Sequence, residues 1–197
     1  MTHQYSIDTQ ERPRITVWLA IISVALTFAL QRSLGLANIQ YWWLPAPSAM
    51  TIFWGVHYLF DSYLWKCALF QRVGLVRTRH IAGIWAGRIS SSHQNFQQMI
   101  DARLRIVQTW TTIEFSLETA QSTSRSHSAH VALAHPEDVR ICYQYVNEPK
   151  VGSAETMNIH RGTAILELSP DGTRLTGDYY TGRGRGTEGT MEFARMG

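Results

Sequence analysis

The chain has 197 residues, with 18 Lys and Arg against 15 Asp and Glu, for a formal net charge of +3. That length holds one ordinary domain plus an appendage and leaves little room for two full domains. The two cysteines, Cys67 and Cys142, supply neither a disulfide framework nor a zinc ligand set and point to a reducing compartment. The basic balance permits nucleic acid, nucleotide or anionic-lipid partners without demanding any of them.

The mean hydropathy of -0.15 averages two unlike regions. Residues 15–70 are apolar and aromatic and carry Trp18, Trp42, Trp43, Trp54 and Trp65, whereas 71–197 is polar and alternating. This division predicts an anchor over 1–77 followed by a domain over 78–197.

Residues 15–30 (ITVWLAIISVALTFAL) hold no charge and lie between Arg12, Arg14 and Arg32. They predict a transmembrane helix over about 14–32. A signal peptide is the competing reading. Against it, no small-residue cleavage site follows, and a second apolar segment comes soon after. That segment, 47–64, predicts a second helix over about 46–66. Tyr41, Trp42, Trp43, Tyr63 and Trp65 stand where headgroup belts would lie. Basic residues flank the pair on its outer sides (Arg12 and Arg14; Lys66, Arg72, Arg77 and Arg79), so both termini are expected in the cytoplasm. His57 and Asp61, four apart on one helix face, suit a helix–helix contact on membrane assembly. Alternatively, Asp61 simply snorkels to the interface near Lys66.

From about residue 80 the apolar period becomes two. Trp85 and Ile89, Ile113, Phe115 and Leu117, Ile141, Tyr143 and Tyr145, Ala164, Leu166 and Leu168, Leu175 and Tyr179, and Met191 and Phe193 alternate with polar neighbours. Turn residues at Pro136-Glu137-Asp138 and Ser169-Pro170-Asp171-Gly172 separate the runs. The stretch 103–119 is too long for one ordinary strand yet offers no Gly, Pro, Asn or Asp on which to turn. It is either two strands meeting near Thr111 or one bulged strand. An even count closes an antiparallel barrel most simply, so the expected fold is all-β, an eight-stranded antiparallel up-and-down β-barrel preceded by two transmembrane α-helices.

In such a meander the loops 119–125, 148–160 and 182–187 share one mouth, which gathers basic and hydroxyl groups. Guanidinium and hydroxyl groups suit phosphate, and tyrosine rings suit bases. The expected ligand-binding set is Arg125, Ser126, Tyr145, Asn147, His160, Arg161, Tyr179, Thr181, Arg183 and Arg185. The alternating Gly182-Arg183-Gly184-Arg185-Gly186 fits an anion nest or an ordinary hairpin. Ser90-Ser91-Ser92 reads as a turn. His127, His130 and His135 lack the spacing of a metal site. No nucleophile motif, phosphate loop or carboxylate pair marks an enzyme, so no catalytic residue and no metal is expected.

The ordered set Gly83-Ile84-Trp85-Ala86-Gly87, Ile106-Val107-Gln108-Thr109-Trp110, Tyr143-Gln144-Tyr145-Val146-Asn147 and His160-Arg161-Gly162-Thr163-Ala164, running through Leu175-Thr176-Gly177-Asp178-Tyr179-Tyr180-Thr181-Gly182-Arg183, resembles a known family. It is similar to the membrane effectors of bacterial CBASS anti-phage defence that join two transmembrane helices to a β-barrel cyclic-nucleotide receptor. The resemblance covers nearly the whole chain. It implies no resident cofactor but a cyclic di- or oligonucleotide ligand, made by a partner nucleotidyltransferase. Binding would drive homo-oligomerisation in the lipid bilayer, membrane disruption and death of the infected cell, with no nucleic acid polymer as partner. Two other classes stay open: a membrane-tethered lipocalin-like carrier of an apolar ligand, which needs an open apolar interior, and a protein-recruiting adaptor, which needs no small-molecule site.

Overall fold

A computed structural model describes residues 2–36, 48–135, 138–153, 158–182 and 186–196. The chain divides into two compact units, one of residues 10–77 and one of residues 1–9 together with 78–197.

The first unit is helical. α1 (Glu11–Leu36) begins earlier and ends later than expected, and at 26 residues it is about 39 Å long, enough to cross a bilayer core of about 30 Å. The most apolar 18-residue window within its stretch Glu11–Gly35 has a mean hydropathy of 1.8. Val17, Trp18, Ile21, Ile22, Leu26 and Phe28 are exposed on it. Ile15, Leu19 and Ser23, spaced by four, form the buried stripe, and Ser23 satisfies its hydroxyl by donating to the Leu19 carbonyl at 2.7 Å. α2 (Ala49–Ser62) packs on α1 and starts at Ser48, whose hydroxyl accepts from the Thr51 N–H. At 14 residues, or about 21 Å, α2 is shorter than the 46–66 span expected. The ladder stops at Tyr63, where ψ of -53° is joined to a φ of -130°. A 3₁₀ turn, Leu64–Lys66, and the short α3 (Ala68–Arg72) follow. Among the described residues, α1 is the one helix both long and apolar enough to cross a membrane. Tyr41, Trp42 and Trp43 lie outside the described residues.

The second unit is the expected barrel with one addition. β2 (Gly83–Ser91), β3 (Met99–Gln108), β4 (Thr112–Thr119), β5 (Ser122–His135), β6 (Asp138–Pro149), β7 (His160–Leu168), β8 (Arg174–Thr181) and β9 (Glu188–Arg195) form an antiparallel meander, and β9 closes on β2. The 103–119 stretch is two strands. Thr109 turns the chain by accepting at its Oγ1 from the N–H groups of Thr111 and Thr112. The addition is β1 (His3–Ile7), which enters the wall between β4 and β5. The barrel unit therefore does not begin at residue 78 alone.

Eight strands make an interior just wide enough for side chains to fill. Here Trp85, Leu104, Phe115, Ile141, Tyr143 and Leu166 are each at most 2% exposed, and the Trp85 indole N–H donates to the Ile81 carbonyl. At one end lie the 108–112, 135–138 and 168–174 connections. Both links to the helical unit also leave from that end, after β1 and before β2. At the other end lie the connections 91–99, 119–122, 149–160 and 181–188.

Candidate ligand pocket

That second end opens into a pocket enclosing about 310 Å³. Strand alternation builds it in two layers. The deeper layer is Ile89, Leu117, Tyr145, Tyr179 and Met191. One inward step nearer the mouth stand Ser91, Thr119, Asn147, Thr181 and their neighbours Ser122 and Ser124, with His93 and His160 beyond. Apolar side chains thus close the floor and hydroxyl and amide groups ring the wall.

Each wall group is positioned by its own bonds. Ser124 Oγ donates to Asn147 Oδ1 at 2.8 Å across the β5–β6 pair. Thr187 N–H donates to Thr181 Oγ1 at 2.9 Å, and the two hydroxyls lie 2.9 Å apart, which fixes the base of the β8–β9 connection. Thr119 Oγ1 likewise accepts from the Ser122 N–H and lies 3.2 Å from Ser122 Oγ. The two tyrosines owe their positions to glycines. Tyr145 faces Gly162 and Tyr179 faces Gly189 in register. A Cβ on Gly162 would stand 2.4 Å from Tyr145 Oη, and one on Gly189 would stand 2.5 Å from Tyr179 Cε1. Each ring lies across the partner strand because no side chain is there.

Of the residues expected from sequence, Tyr145, Asn147, His160, Tyr179 and Thr181 come together in this pocket. Arg125 and Arg161 do not, because both are exposed on the outer parity of their strands, next to inward Ser124 and Gly162. Ser126 is buried but lies deeper along β5, where it contacts His3 Nε2 at 2.8 Å and accepts from the Phe115 N–H at 2.9 Å. Arg183 and Arg185 lie outside the described residues. Among the described residues the lining holds no Asp, Glu, Lys or Arg, and it offers hydroxyl, amide and imidazole groups. Lys150, near the same end, is paired with Glu118 at 2.6 Å, and this bond holds the Glu118 carboxyl below its usual range.

Ser91 and His93 belong to the pocket although Ser90-Ser91-Ser92 read as a turn. Ser90 and Ser91 are buried strand residues, and Ser91 Oγ accepts from the His93 N–H. In the helical unit, the His57 ring lies 5.8 Å from Phe53 and 6.3 Å from Trp54, and Asp61 is half-buried. Among the described residues, no group of three or more His, Cys, Asp or Glu is placed to hold a metal.

A filled eight-stranded barrel with a polar pocket at one end, joined to an apolar helical unit, defines a class of membrane-associated small-ligand receptor rather than a carrier with an open interior. The chain belongs to the Cap15 family: residues 76–195 match its cyclic dinucleotide receptor domain and residues 13–66 match its TM helices. It is similar to CD-NTase-associated protein 15 of Yersinia aleksiciae, 29% identical over 212 aligned positions that cover 99% of this chain and 98% of the relative. It is also similar to CD-NTase-associated protein 15 of Staphylococcus schleiferi, 24% identical over 170 positions covering 86% and 88%. The family resemblance drawn from the sequence is therefore shown.

Proposed function

We propose that the end pocket binds a cyclic dinucleotide and that occupancy drives self-association and disruption of the bacterial inner membrane. The observation that carries this reading is the composition of the pocket in a domain of this family. Half-buried Tyr179, with buried Tyr145 beside it in the lining, offers aromatic surface suited to a base. The Ser, Thr and Asn groups offer hydrogen bonds to ribose and phosphate oxygens, and no described carboxylate repels an anion. A filled apolar core beneath a polar pocket is what such a sensor needs, and it argues against a lipocalin-like carrier. In this reading the protein is a receptor and effector, not an enzyme. Both termini are cytoplasmic, since Arg12 and Arg14 on one flank and Lys66, Arg72 and Arg77 on the other mark the cytoplasmic side. His57 and Asp61 then contribute to contacts between assembled helices.

A ligand shifts an equilibrium only by its differential affinity for the two states, so binding must favour the assembled state. The test is a thermal titration of the full chain in detergent with a panel of 3′,3′-cyclic dinucleotides. At a hundredfold excess over Kd, a true ligand stabilises by about 2.7 kcal/mol. Asn147→Asp keeps the acceptor for Ser124 Oγ but places a carboxylate in the wall, and affinity should fall at least about tenfold, or about 1.4 kcal/mol. Equal stabilisation of both proteins would remove this pocket from the binding role.

A further inference from the structure

The eight meander strands follow one another in sequence around the barrel. β1 is the exception, since residues 10–77 separate it from β2. β4 and β5 pair with each other directly at 116–118 and 123–125, and beyond that they part. β1 fills the opening. It runs antiparallel to β4 at His3–Ile113 and Gln4–Thr112, then parallel to β5 from Tyr5–Ala129 to Ile7–Val131. Its contact with β5 is the one parallel pairing among the described strands.

Its fit is specific. Tyr5 is buried in the core and its hydroxyl donates to the Trp110 carbonyl at 2.9 Å. Ser6 Oγ and His130 Nδ1 lie 2.9 Å apart, and Asp8 Oδ1 accepts from the Leu133 N–H at 2.8 Å. Without β1, the edges of β4 and β5 would present unpaired backbone, which is a template for another strand.

We propose that residues 3–7 are an exchangeable strand: when copies self-associate, β1 of one copy fills the β4–β5 opening of its neighbour. The inference rests on the self-association proposed above and gives it a molecular basis. The occupant follows from the structure, because the opening is already shaped to this segment and a second copy supplies the identical one. Each bond that β1 makes within one copy forms again between copies, which is why exchange of an identical element is a low-cost route to assembly. Only five residues have to unzip. Residues 8–10 are the whole link to α1, so a rearrangement of membrane helices acts directly on β1.

Cross-linking tests this in the full chain, with Cys67 and Cys142 changed to Ser. One population carries Gln4→Cys and a second, differently tagged, carries Thr112→Cys, so that the register pair is divided between copies. The two are mixed in vesicles of phosphatidylethanolamine and phosphatidylglycerol at rising protein-to-lipid ratio, with and without the cyclic dinucleotide panel, and oxidised. Energy transfer between labelled copies reports association separately. The expected result is a disulfide between the two tags that rises with association, at least about tenfold above a control mixture of Gln4→Cys and Arg103→Cys copies. Cross-linking at the control level while copies associate overturns the proposal, and so does a chain that stays monomeric under every condition. Thermal stabilisation by a cyclic dinucleotide, read on the same samples, judges the receptor reading independently.

Discussion

Tyr143 stacks on Phe115 at the centre of the barrel, with ring centroids 4.3 Å apart and planes 5° from parallel. Its hydroxyl is buried without a hydrogen-bond partner, and burial, aided by Tyr145, pushes the phenol well above its ordinary pKa. An unsatisfied buried hydroxyl costs about 1–3 kcal/mol, whereas the stack itself needs no oxygen. Tyr143→Phe should therefore raise stability by about 1 kcal/mol and Tm by a few degrees, with ligand affinity unchanged. Thermal unfolding by circular dichroism checks it, and a lowered Tm would mean that the hydroxyl stabilises the core. Asp171 is the opposite case, an exposed carboxylate held by its turn. The Ser169 hydroxyl at 2.5 Å and then the Thr173 hydroxyl and N–H bring its pKa down to about 2. A pKa depressed in the fold contributes stability above the unfolded value of about 3.9, and that contribution is lost as pH falls toward the folded value. Asp171→Asn should accordingly lower Tm at pH 7, and the gap between the two proteins should close between about pH 4 and pH 2. A gap that persists at the acid end would assign the loss to turn geometry instead of charge.

Among the elements, β9 shows how closely the strands approach where the pocket is built. A Cβ on Gly189 would lie 2.0 Å from the Ser90 carbonyl oxygen and 2.5 Å from Tyr179 Cε1. Gly189→Ala must therefore push β9 from β2 and tilt Tyr179. We expect a loss of about 1–3 kcal/mol in stability and a larger proportional loss of ligand-induced stabilisation. Calorimetry at matched temperature separates the two. The period-two pattern made much of this readable, because Tyr145, Asn147, Tyr179 and Thr181 share a face by alternation alone. What it did not convey has particular causes. The turn at Thr109 is made by a hydroxyl accepting two N–H groups, so no glycine or proline marks it. Arg125 and Arg161 lie near the mouth in sequence, but one residue along a strand is the difference between inside and outside. β5 changes parity at a register shift between Ser126 and Ser128, so its inward residues are even before the bulge and odd at Val131 and Leu133. β1, five residues with partners over a hundred positions away, carries too short a pattern to be recognised.

For the whole molecule, β1 means that anchor and receptor are not cleanly separable along the chain. A fragment of residues 78–197 retains all eight meander strands but leaves the backbone of Ile113 and of Ala129 to Val131 without the neighbour they have in the full chain. It also loses Tyr5 from the core and the Asp8 acceptor for Leu133 N–H. Burying one large side chain is worth about 1.5–3 kcal/mol, and each net hydrogen bond about 0.5–1.5 kcal/mol, set against the entropy of ordering the strand. The fragment should therefore unfold several degrees below a version in which residues 2–9 are joined to it through a flexible Gly/Ser linker. A synthetic peptide of residues 2–9 added in trans should restore part of that difference in a concentration-dependent way, as binding to the native state alone requires. In the peptide, Tyr5→Ala should abolish the rescue, since Tyr5 supplies both the buried ring and the bond to the Trp110 carbonyl. Equal Tm values for fragment and linked version would show that β4 and β5 close on each other once the anchor is gone. β1 would then be a lining of the wall rather than a part of its closure.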